Sequence, residues 1–444
     1  MPNVPSVLMA LALSWLVRVI PAQAPARPAA PKPAAAVPAP APKQALTESE
    51  TQQLVKSYGQ CEHWAMRAIV LLSLGSNFHP CGCDILLAAI KDRDAHMLPF
   101  ALEVLRRMPK DAAAAVATVP LMAELIARVK HKNQLVRERV HEALTALAPE
   151  ASCKEPAAWA RWWGENSAVW TPKPWVPPVR EPRAGGTVAG TAIERAFDLR
   201  DAGLEVVFVL DTTGSMQVAI DAARDAIDDV SALLAGITPK LRLGLVHYKD
   251  LEDMGDGAEL LVPLTKDHKQ VREKLAKLRA GGGGDMPERV EKGIEVALGK
   301  ETGWTKDANR MMVVVGDAPP HHDAEDELLA MVKRAHDEPF AKGKKQAVTG
   351  GGAAKVDLRP FITSAIATNQ AAKPSFDAIA KAGGGASVLL DLGGPGGGKA
   401  AAKQRPAPQL VAEHVLLLAF GQSHSAELRV FVEAFFDYHN AGAF

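Results

Sequence analysis

The sequence predicts an α/β fold in which a doubly wound, mostly parallel sheet follows a smaller all-α domain. Two observations lead to this prediction. In the second half of the chain, short continuous apolar runs such as LEVVFVL alternate with segments of helical periodicity, whereas the first half shows helical periodicity alone. Continuous apolar runs are typical of strands covered on both faces, and alternation of strands with helices is typical of a parallel sheet.

The N-terminus resembles an export signal. Residues 4–17 are apolar but too few to span a bilayer comfortably, and Ala22-Gln23-Ala24 suits signal-peptidase cleavage after Ala24. We therefore expect residues 1–24 to be a signal peptide and the protein to be exported to the periplasm, the cell surface or the medium. An uncleaved signal anchor is the alternative, because no Lys or Arg precedes the apolar run.

Three further segments precede the predicted sheet. Residues 25–46 are rich in Ala and Pro, a composition typical of a semi-rigid linker. Residues 47–168 carry apolar side chains at three- and four-residue spacing and are expected to form a helical domain that resembles HEAT-like repeats. Residues 169–200 are rich in Pro and Gly and are expected to be a second linker. The α/β domain then covers residues 201–444, including a helical extension at its C-terminus.

The α/β domain contains five apolar runs that predict central strands and one run that predicts an edge strand. The central runs are LEVVFVL, KLRLGLVHY, NRMMVVVG, PFITSAIAT and ASVLL, and the edge run is AELLVPL. Amphipathic segments between these runs predict the helices that cover the sheet. The final helical segment, AELRVFVEAFFDYHN, is expected to pack back on the sheet.

Polar loops follow or precede these elements at three places. DTTGS (211–215) follows the first strand, GGGGDMPERV (281–290) precedes a helix, and VVVGDAPPHHD (313–323) ends another strand. Any one of these loops is explained by a helix cap or a turn residue. Together, at the sheet edge where ligand chemistry collects, their oxygens favour a site for a hard divalent cation. Mg²⁺ is the first expectation, with Ca²⁺ and Mn²⁺ as alternatives.

The motif DTTGSM after VFVL resembles the first motif of the von Willebrand factor type A domain, whose metal-ion-dependent adhesion site has the pattern D-x-S-x-S. The resemblance covers residues 204–392 and includes LRLGLVHYKD, GGGGDMPE and MMVVVGDAPPH. It implies that Asp211, Thr213 and Ser215 form the first set of ligands. It further implies that Asp317 completes the site.

The middle loop departs from the common pattern of that family. Where many members offer a threonine hydroxyl after Gly-Gly, this chain has Asp285-Met286-Pro287-Glu288, an order similar to that of integrin beta subunits. Asp285 and Glu288 are therefore both candidate ligands. A carboxylate in place of a neutral hydroxyl adds negative charge, which should tighten cation binding. The same charge makes the ion a weaker attractor for an acidic side chain of a partner.

Two neighbouring features have simpler interpretations. The segment YKDLEDMGDGAE (248–259), with Asp250, Glu252, Asp253 and Asp256, is expected to be a solvated acidic loop, and a second cation site is the alternative. His321 and His322 follow Asp317 closely, but imidazole is not a usual ligand of Mg²⁺, so we expect a role other than metal binding.

All four cysteines, Cys61, Cys81, Cys83 and Cys153, fall in the helical domain. In an exported protein, disulfides are the first expectation, with Cys61 bonded to Cys81 or Cys83. A zinc site that adds His63 and His79 is less favoured, because the spacing matches no standard structural zinc motif.

The composition and motifs exclude several function classes. Lys+Arg and Asp+Glu both number 51, and there is no basic stripe, so nucleic acid is not an expected partner. Neither G-x-S-x-G nor a Walker A loop is present, so we do not expect an enzyme. The first hypothesis is an exported module that binds a protein partner at its metal face, with an acidic side chain of the partner as a candidate ligand. The alternatives are a metal-dependent hydrolase and a cytoplasmic co-chaperone of an ATPase.

Overall fold

The computed structural model describes residues 48–75, 82–108, 113, 116–172, 192–283, 286–338, 359–390, 407–421 and 425–444. The predicted signal peptide and Ala/Pro linker lie outside these residues, as do His79, Cys81 and Asp285. From Gln44 to Phe444 the chain forms one compact unit. Of the helices that the described residues contain, none combines the length and apolarity needed to cross a bilayer.

The first part of the described chain is helical, as predicted. Its helices are α1 (Glu48–Gln60), α2 (Trp64–Gly75), α3 (Cys83–Lys91), α4 (Met97–Arg107), α5 (Val119–Ala127), α6 (Gln134–Leu147) and α7 (Pro156–Asn166). Helix α5 begins where the Thr118 hydroxyl accepts a hydrogen bond from the Leu121 N–H, and Asn133 caps α6 in the same way. Trp159 of α7 is buried and donates its indole N–H to His141 at 2.9 Å.

Within the described residues the sheet has six strands, and the prediction of a doubly wound, mostly parallel sheet is confirmed. The strands are β1 (Leu204–Asp211), β2 (Arg242–Tyr248), β3 (Ala258–Thr265), β4 (Asn309–Gly316), β5 (Phe361–Ala367) and β6 (Gly384–Leu389). Their order across the sheet is β3-β2-β1-β4-β5-β6, and β3 at the edge pairs antiparallel with β2 while the other pairs are parallel. The edge strand falls where AELLVPL predicts it.

Helices cover both faces of the sheet. They are α8 (Ala192–Ala202), α9 (Gln217–Ile237), α10 (His268–Lys277), α11 (Val290–Leu298), α12 (Glu325–Asp337), α13 (Lys373–Ala382), α14 (Ala407–Phe420) and α15 (Ser425–Asn440). Along β1, Val207 and Val209 belong to the hydrophobic cluster beneath α11, α12 and α13. Val206 and Phe208 belong to the other cluster, which includes α9. Because both faces of β1 are buried, its run of apolar residues has no alternation.

Two elements differ from the sequence prediction. Helix α8 lies inside the segment predicted as a linker. Its side chains Ile193 and Leu199 are buried in the core, so this helix belongs to the folded part and the linker ends earlier than predicted. The final helix, α15, was expected to pack on the sheet, but it packs against the helices α14, α2 and α4. The helix before it, α14, lies against α9 and β6 instead. Aromatic side chains explain this position, since the Trp64 ring lies 5.9 Å from Phe435 and 6.2 Å from Phe431.

The predicted disulfide of Cys61 is not formed. Cys61 and Cys153 are free thiols, and the Cys61 thiol donates to the Ser57 carbonyl at 3.1 Å. Burial raises the pKa of the Cys61 thiol, which favours its neutral form.

Candidate metal-ion site at the carboxyl edge of the sheet

Three loops meet at the carboxyl ends of β1 and β4, and backbone hydrogen bonds join them. The Gly214 N–H donates to the Gly282 carbonyl at 2.9 Å, and the Gly281 N–H donates to the Thr212 carbonyl at 3.1 Å. The Glu288 N–H donates to the Pro319 carbonyl at 3.0 Å, which ties the middle loop to the loop after β4. Since β1 and β4 are parallel neighbours, their last residues lie at the same edge of the sheet.

The loops enclose an open cleft of about 360 Å³, and most of the candidate ligands line it. The lining residues are Thr213, Gly214, Ser215, Gly283, Met286, Glu288, Asp317 and Ala318. Asp211 lies two positions before the first of these and is fully buried. The sixth candidate, Asp285, lies outside the described residues.

Asp211 is held by Thr213 through only one of its carboxylate oxygens. Its Oδ1 accepts hydrogen bonds from the Thr213 N–H at 2.8 Å and from the Thr213 hydroxyl at 2.7 Å. Its Oδ2 is buried and has no hydrogen-bond partner among the described residues. The pKa of Asp211 is raised to about 6, because burial and the negative charge of Asp317 outweigh the hydrogen bonds from Thr213 and the positive charge of Lys249, which lower it. The unpartnered oxygen therefore belongs to a carboxylate whose charge the fold compensates only in part.

Glu288 repeats this arrangement on the middle loop. Its side chain is buried, and its Oε2 has no hydrogen-bond partner among the described residues. Burial raises the pKa of Glu288 to about 8, with further contributions from the negative charges of Asp211, Asp250, Asp253 and Asp317. Two buried carboxyl groups at or directly behind the cleft thus each have one oxygen without a hydrogen-bond partner among the described residues.

The donor set suits a hard cation only if hydroxyl groups take part. Within the described part of the chain, no group of three or more His, Cys, Asp and Glu side chains is arranged to hold a metal ion. A cation in this cleft would therefore need the hydroxyls of Thr213 and Ser215, and water, besides the carboxylates. Carboxylate, hydroxyl and water oxygens are the ligands that Mg²⁺ and Ca²⁺ prefer.

Glycine is required where the middle loop approaches the site. Gly283 has φ +73°, and a Cβ on it would lie 2.8 Å from the Cβ of Thr213 and 3.2 Å from Oε1 of Glu288. Gly282 has φ +76°, and a Cβ on it would overlap the carboxylate of Asp253. The glycine run therefore lets the loop backbone lie directly against the two candidate ligands.

Sequence reasoning missed Tyr248, which lies beneath the site. Its ring is fully buried, and its hydroxyl has no hydrogen-bond partner in the described structure. Burial raises its pKa well above the usual value, and the negative charges of Asp211, Glu288 and Asp317 add to this. The phenol therefore keeps its proton and is a potential donor beside the carboxylates. Its only signal in the sequence is its position at the end of the strand next to β1.

The acidic loop after β2 is tied to the site more closely than its composition predicts. Asp253 accepts a hydrogen bond from the Gly283 N–H, although its side chain is exposed. Asp250 lies 3.3 Å from Nε2 of His321 and 3.5 Å from Nε of Arg289. His321 therefore pairs with a carboxylate, and His322 is fully exposed. Neither histidine lines the cleft.

Part of this chain is similar to known proteins. Residues 205–388 match the family model of the von Willebrand factor A domain. The alpha-protein kinase vwkA of Dictyostelium discoideum is 25% identical over 123 residues, and the match covers 27% of this chain and only 19% of that kinase. Among solved structures, the crystal structure of the SpRpn10 VWA domain matches at 16% identity and a TM-score of 0.32, over 49% of this chain and 96% of that domain.

Proposed function

We propose that this chain, which contains a von Willebrand factor A domain over residues 205–388, uses that domain to bind a protein partner through a divalent cation. One observation supports the cation above all others. Oδ2 of Asp211 and Oε2 of Glu288 are buried oxygens without hydrogen-bond partners among the described residues. Glu288 lines the cleft, and Asp211 lies behind it, hydrogen-bonded to the cleft residue Thr213. Buried carboxylates are normally paired or coordinate a metal.

The residues that would hold the cation are Asp211, Thr213, Ser215, Glu288 and Asp317. Mg²⁺ is the first choice, because hydroxyls and carboxylates in a compact set of loops suit its octahedral geometry, and Ca²⁺ and Mn²⁺ are the alternatives. Asp285 remains a further candidate on the middle loop. When bound, the cation would supply an electrophilic coordination position that an oxygen atom of a partner can occupy.

The charge of the site bears on which partner oxygen would fill that position. A divalent cation offsets two of the three carboxylates of Asp211, Glu288 and Asp317 and leaves one negative charge. An acidic side chain of a partner would therefore gain less than at a site with a neutral hydroxyl in the middle loop. Met286, 54% exposed on the rim of the cleft, offers an apolar contact to the same partner.

A binding role is preferred over hydrolysis. The described residues that line the cleft include the hydroxyls of Thr213 and Ser215 but no His or Lys to activate them. We propose in addition that the protein is exported, on the strength of the pattern in residues 4–24. Sequencing the N-terminus of the mature protein tests this, because an intact Met1 in a cytoplasmic fraction would contradict export.

A pull-down from a native extract tests the binding function. The bait is the full chain, as wild type, as Asp211→Ala and as the control Asp228→Asn, whose side chain is exposed and pairs with the exposed Arg272. We expect a partner to be retained by the wild type and the control in Mg²⁺, and to be lost in EDTA or with Asp211→Ala. A partner retained equally by all three proteins in EDTA would show that binding does not use a cation at this site.

A further inference from the structure

A second cavity lies at the opposite edge of the sheet, among the first residues of the strands. It has a volume of about 480 Å³, within the range of about 300–1,000 Å³ typical of small-molecule sites. Its walls come from the starts of β1, β4, β5 and β6, from α8, and from the end of α14. We call it the arginine pocket, because Arg195, Arg310 and Arg359 line it.

Positive charge exceeds negative charge in the arginine pocket. Nη1 of Arg195 and Nη1 of Arg359 each donate to Asp198 at 2.6 Å, one to each carboxylate oxygen. Both guanidinium groups also donate to Oδ1 of Asn309, at 2.8 and 3.1 Å. Arg310 adds a third guanidinium group, which donates to the Arg359 carbonyl. No Asp or Glu occurs among the described residues that line the pocket, and Asp198 behind it is shared between the positive charges of Arg195 and Arg359.

Burial makes this excess charge costly. Burial lowers the pKa of Arg195, against the charge of Asp198, and Arg195 shares that carboxylate with Arg359. Since charges taken out of water need counter-charges nearby, the pocket is suited to an anion.

The remaining walls are apolar and irregular. Leu204, Met311, Ile362, Leu418 and Phe420 line the pocket beside the arginines. The pairing of β5 with β6 shifts register between Thr363 and Ala365, which places Gly385 against Ser364, where a Cβ would lie 2.6 Å from the serine Oγ. Such bulges are frequent beside binding sites because they open or redirect a strand. An apolar wall next to guanidinium groups suits a ligand with both characters.

We propose that the arginine pocket binds a small organic anion, with a phosphate or carboxylate head group on Arg195 and Arg359 and an apolar body against the side chains of the opposite wall. Guanidinium groups present paired N–H donors that match both head groups. This site is separate from the proposed cation site, which lies at the other end of the same strands.

The test measures binding of phenyl phosphate, benzoate and inorganic phosphate to the full chain by calorimetry at matched ionic strength. The proteins are the wild type, Arg359→Gln, Asp198→Asn, and the control Arg272→Gln, which changes an exposed arginine of α10. We expect phenyl phosphate or benzoate to bind the wild type, and the tighter of the two identifies the head group. Arg359→Gln should weaken this binding by about tenfold or more, as loss of a charge-assisted hydrogen bond does, and Arg272→Gln should leave it unchanged.

Asp198→Asn separates a ligand site from a purely structural ion pair. Asp198 is the carboxylate that contacts both Arg195 and Arg359 within the described part of the chain. Removing its charge should tighten binding of the organic anion, and the anion should then raise the unfolding temperature of this variant more than that of the wild type. If neither phenyl phosphate nor benzoate binds the wild type or Asp198→Asn, the proposal is wrong. It is equally wrong if Arg272→Gln weakens binding as much as Arg359→Gln, or if inorganic phosphate binds as tightly as phenyl phosphate.

Discussion

Replacing Asp211 by Asn should stabilise the cation-free protein and remove its stabilisation by Mg²⁺. The wild-type carboxylate is fully buried, and its Oδ2 has no hydrogen-bond partner among the described residues. Asn keeps the shape of the side chain and an oxygen that can accept the two hydrogen bonds from Thr213. It removes only the negative charge, which without a cation is compensated in part by Thr213 and Lys249.

The expected gain follows from the pKa of Asp211. Burial raises this pKa from 3.8 to about 6, and one pKa unit corresponds to about 1.4 kcal/mol. Ionised Asp211 therefore costs about 3 kcal/mol of stability at neutral pH, which is an upper bound for the gain because the new amide also needs a partner. The protonated group carries no such cost, so the cost is absent below pH 3.8 and develops as the pH rises through about 6.

Urea unfolding at pH 7.5 measures both effects, in EDTA and in excess Mg²⁺. Wild type should gain about 2.7 kcal/mol when Mg²⁺ is at a hundred times its dissociation constant. Asp211→Asn should be more stable than wild type in EDTA and should gain little from Mg²⁺. The control Asp228→Asn, which breaks only an exposed ion pair, should match the wild type in both conditions.

The opposite pattern would refute this reasoning. If Asp211 served only to cap the turn before α9, Asp211→Asn would leave the stability in EDTA unchanged or lower it, and Mg²⁺ would act on both proteins alike. If Asp211→Asn is less stable than wild type in EDTA and Mg²⁺ stabilises both proteins equally, Mg²⁺ does not bind at this site.

Two further substitutions test the loops and the packing of the helical region. Gly283→Ala should lower stability by about 1–3 kcal/mol and weaken Mg²⁺ binding, because the backbone is in the left-handed region and the new Cβ meets Thr213. The matched control is Gly281→Ala, where a Cβ has no neighbour within 4 Å. Equal effects of the two substitutions on Mg²⁺ binding would contradict the role of Gly283. Trp64→Ala should lower the free energy of unfolding in urea by about 3 kcal/mol, because the Trp64 ring stacks on His96 at 4.1 Å as well as on α15. Trp64→Phe should lower it clearly less. An alanine variant as stable as the wild type would show that this aromatic stack does not stabilise the helical region.

The strands were predictable because each carries its signal locally. All eight residues of β1 are buried, so a continuous apolar run is what both covered faces require. The position of α15 was not predictable in this way. Its periodicity indicates that one face is buried, but its neighbour Trp64 lies more than 300 positions earlier in the chain. Amphipathic periodicity shows which side chains are buried and leaves open what covers them.

The same distinction applies to the two sites. Asp211, Thr213 and Ser215 lie within five positions, and their spacing in a motif is visible in the sequence. Tyr248 was missed because only the pairing of β1 with β2, which places it opposite Asp211, brings it beneath the cleft. The arginine pocket was missed for the same reason. Arg310 pairs with Phe361 across β4 and β5, and this register brings Arg359 close to it.

A net charge of zero conceals a separation of charge between the two edges of the sheet. Partly compensated carboxylates lie at the carboxyl ends of the strands, and two guanidinium groups that share the carboxylate of Asp198 lie at the opposite edge. Each group lowers stability until a ligand of opposite charge binds. Eight strand residues span about 26 Å, well beyond the separation of about 7–10 Å within which sites usually couple. Stabilisation by Mg²⁺ and by an organic anion should therefore add to within about 0.5 kcal/mol when both are present. A larger departure in a double titration would mean that the sheet couples the two edges, and that they do not bind their ligands independently.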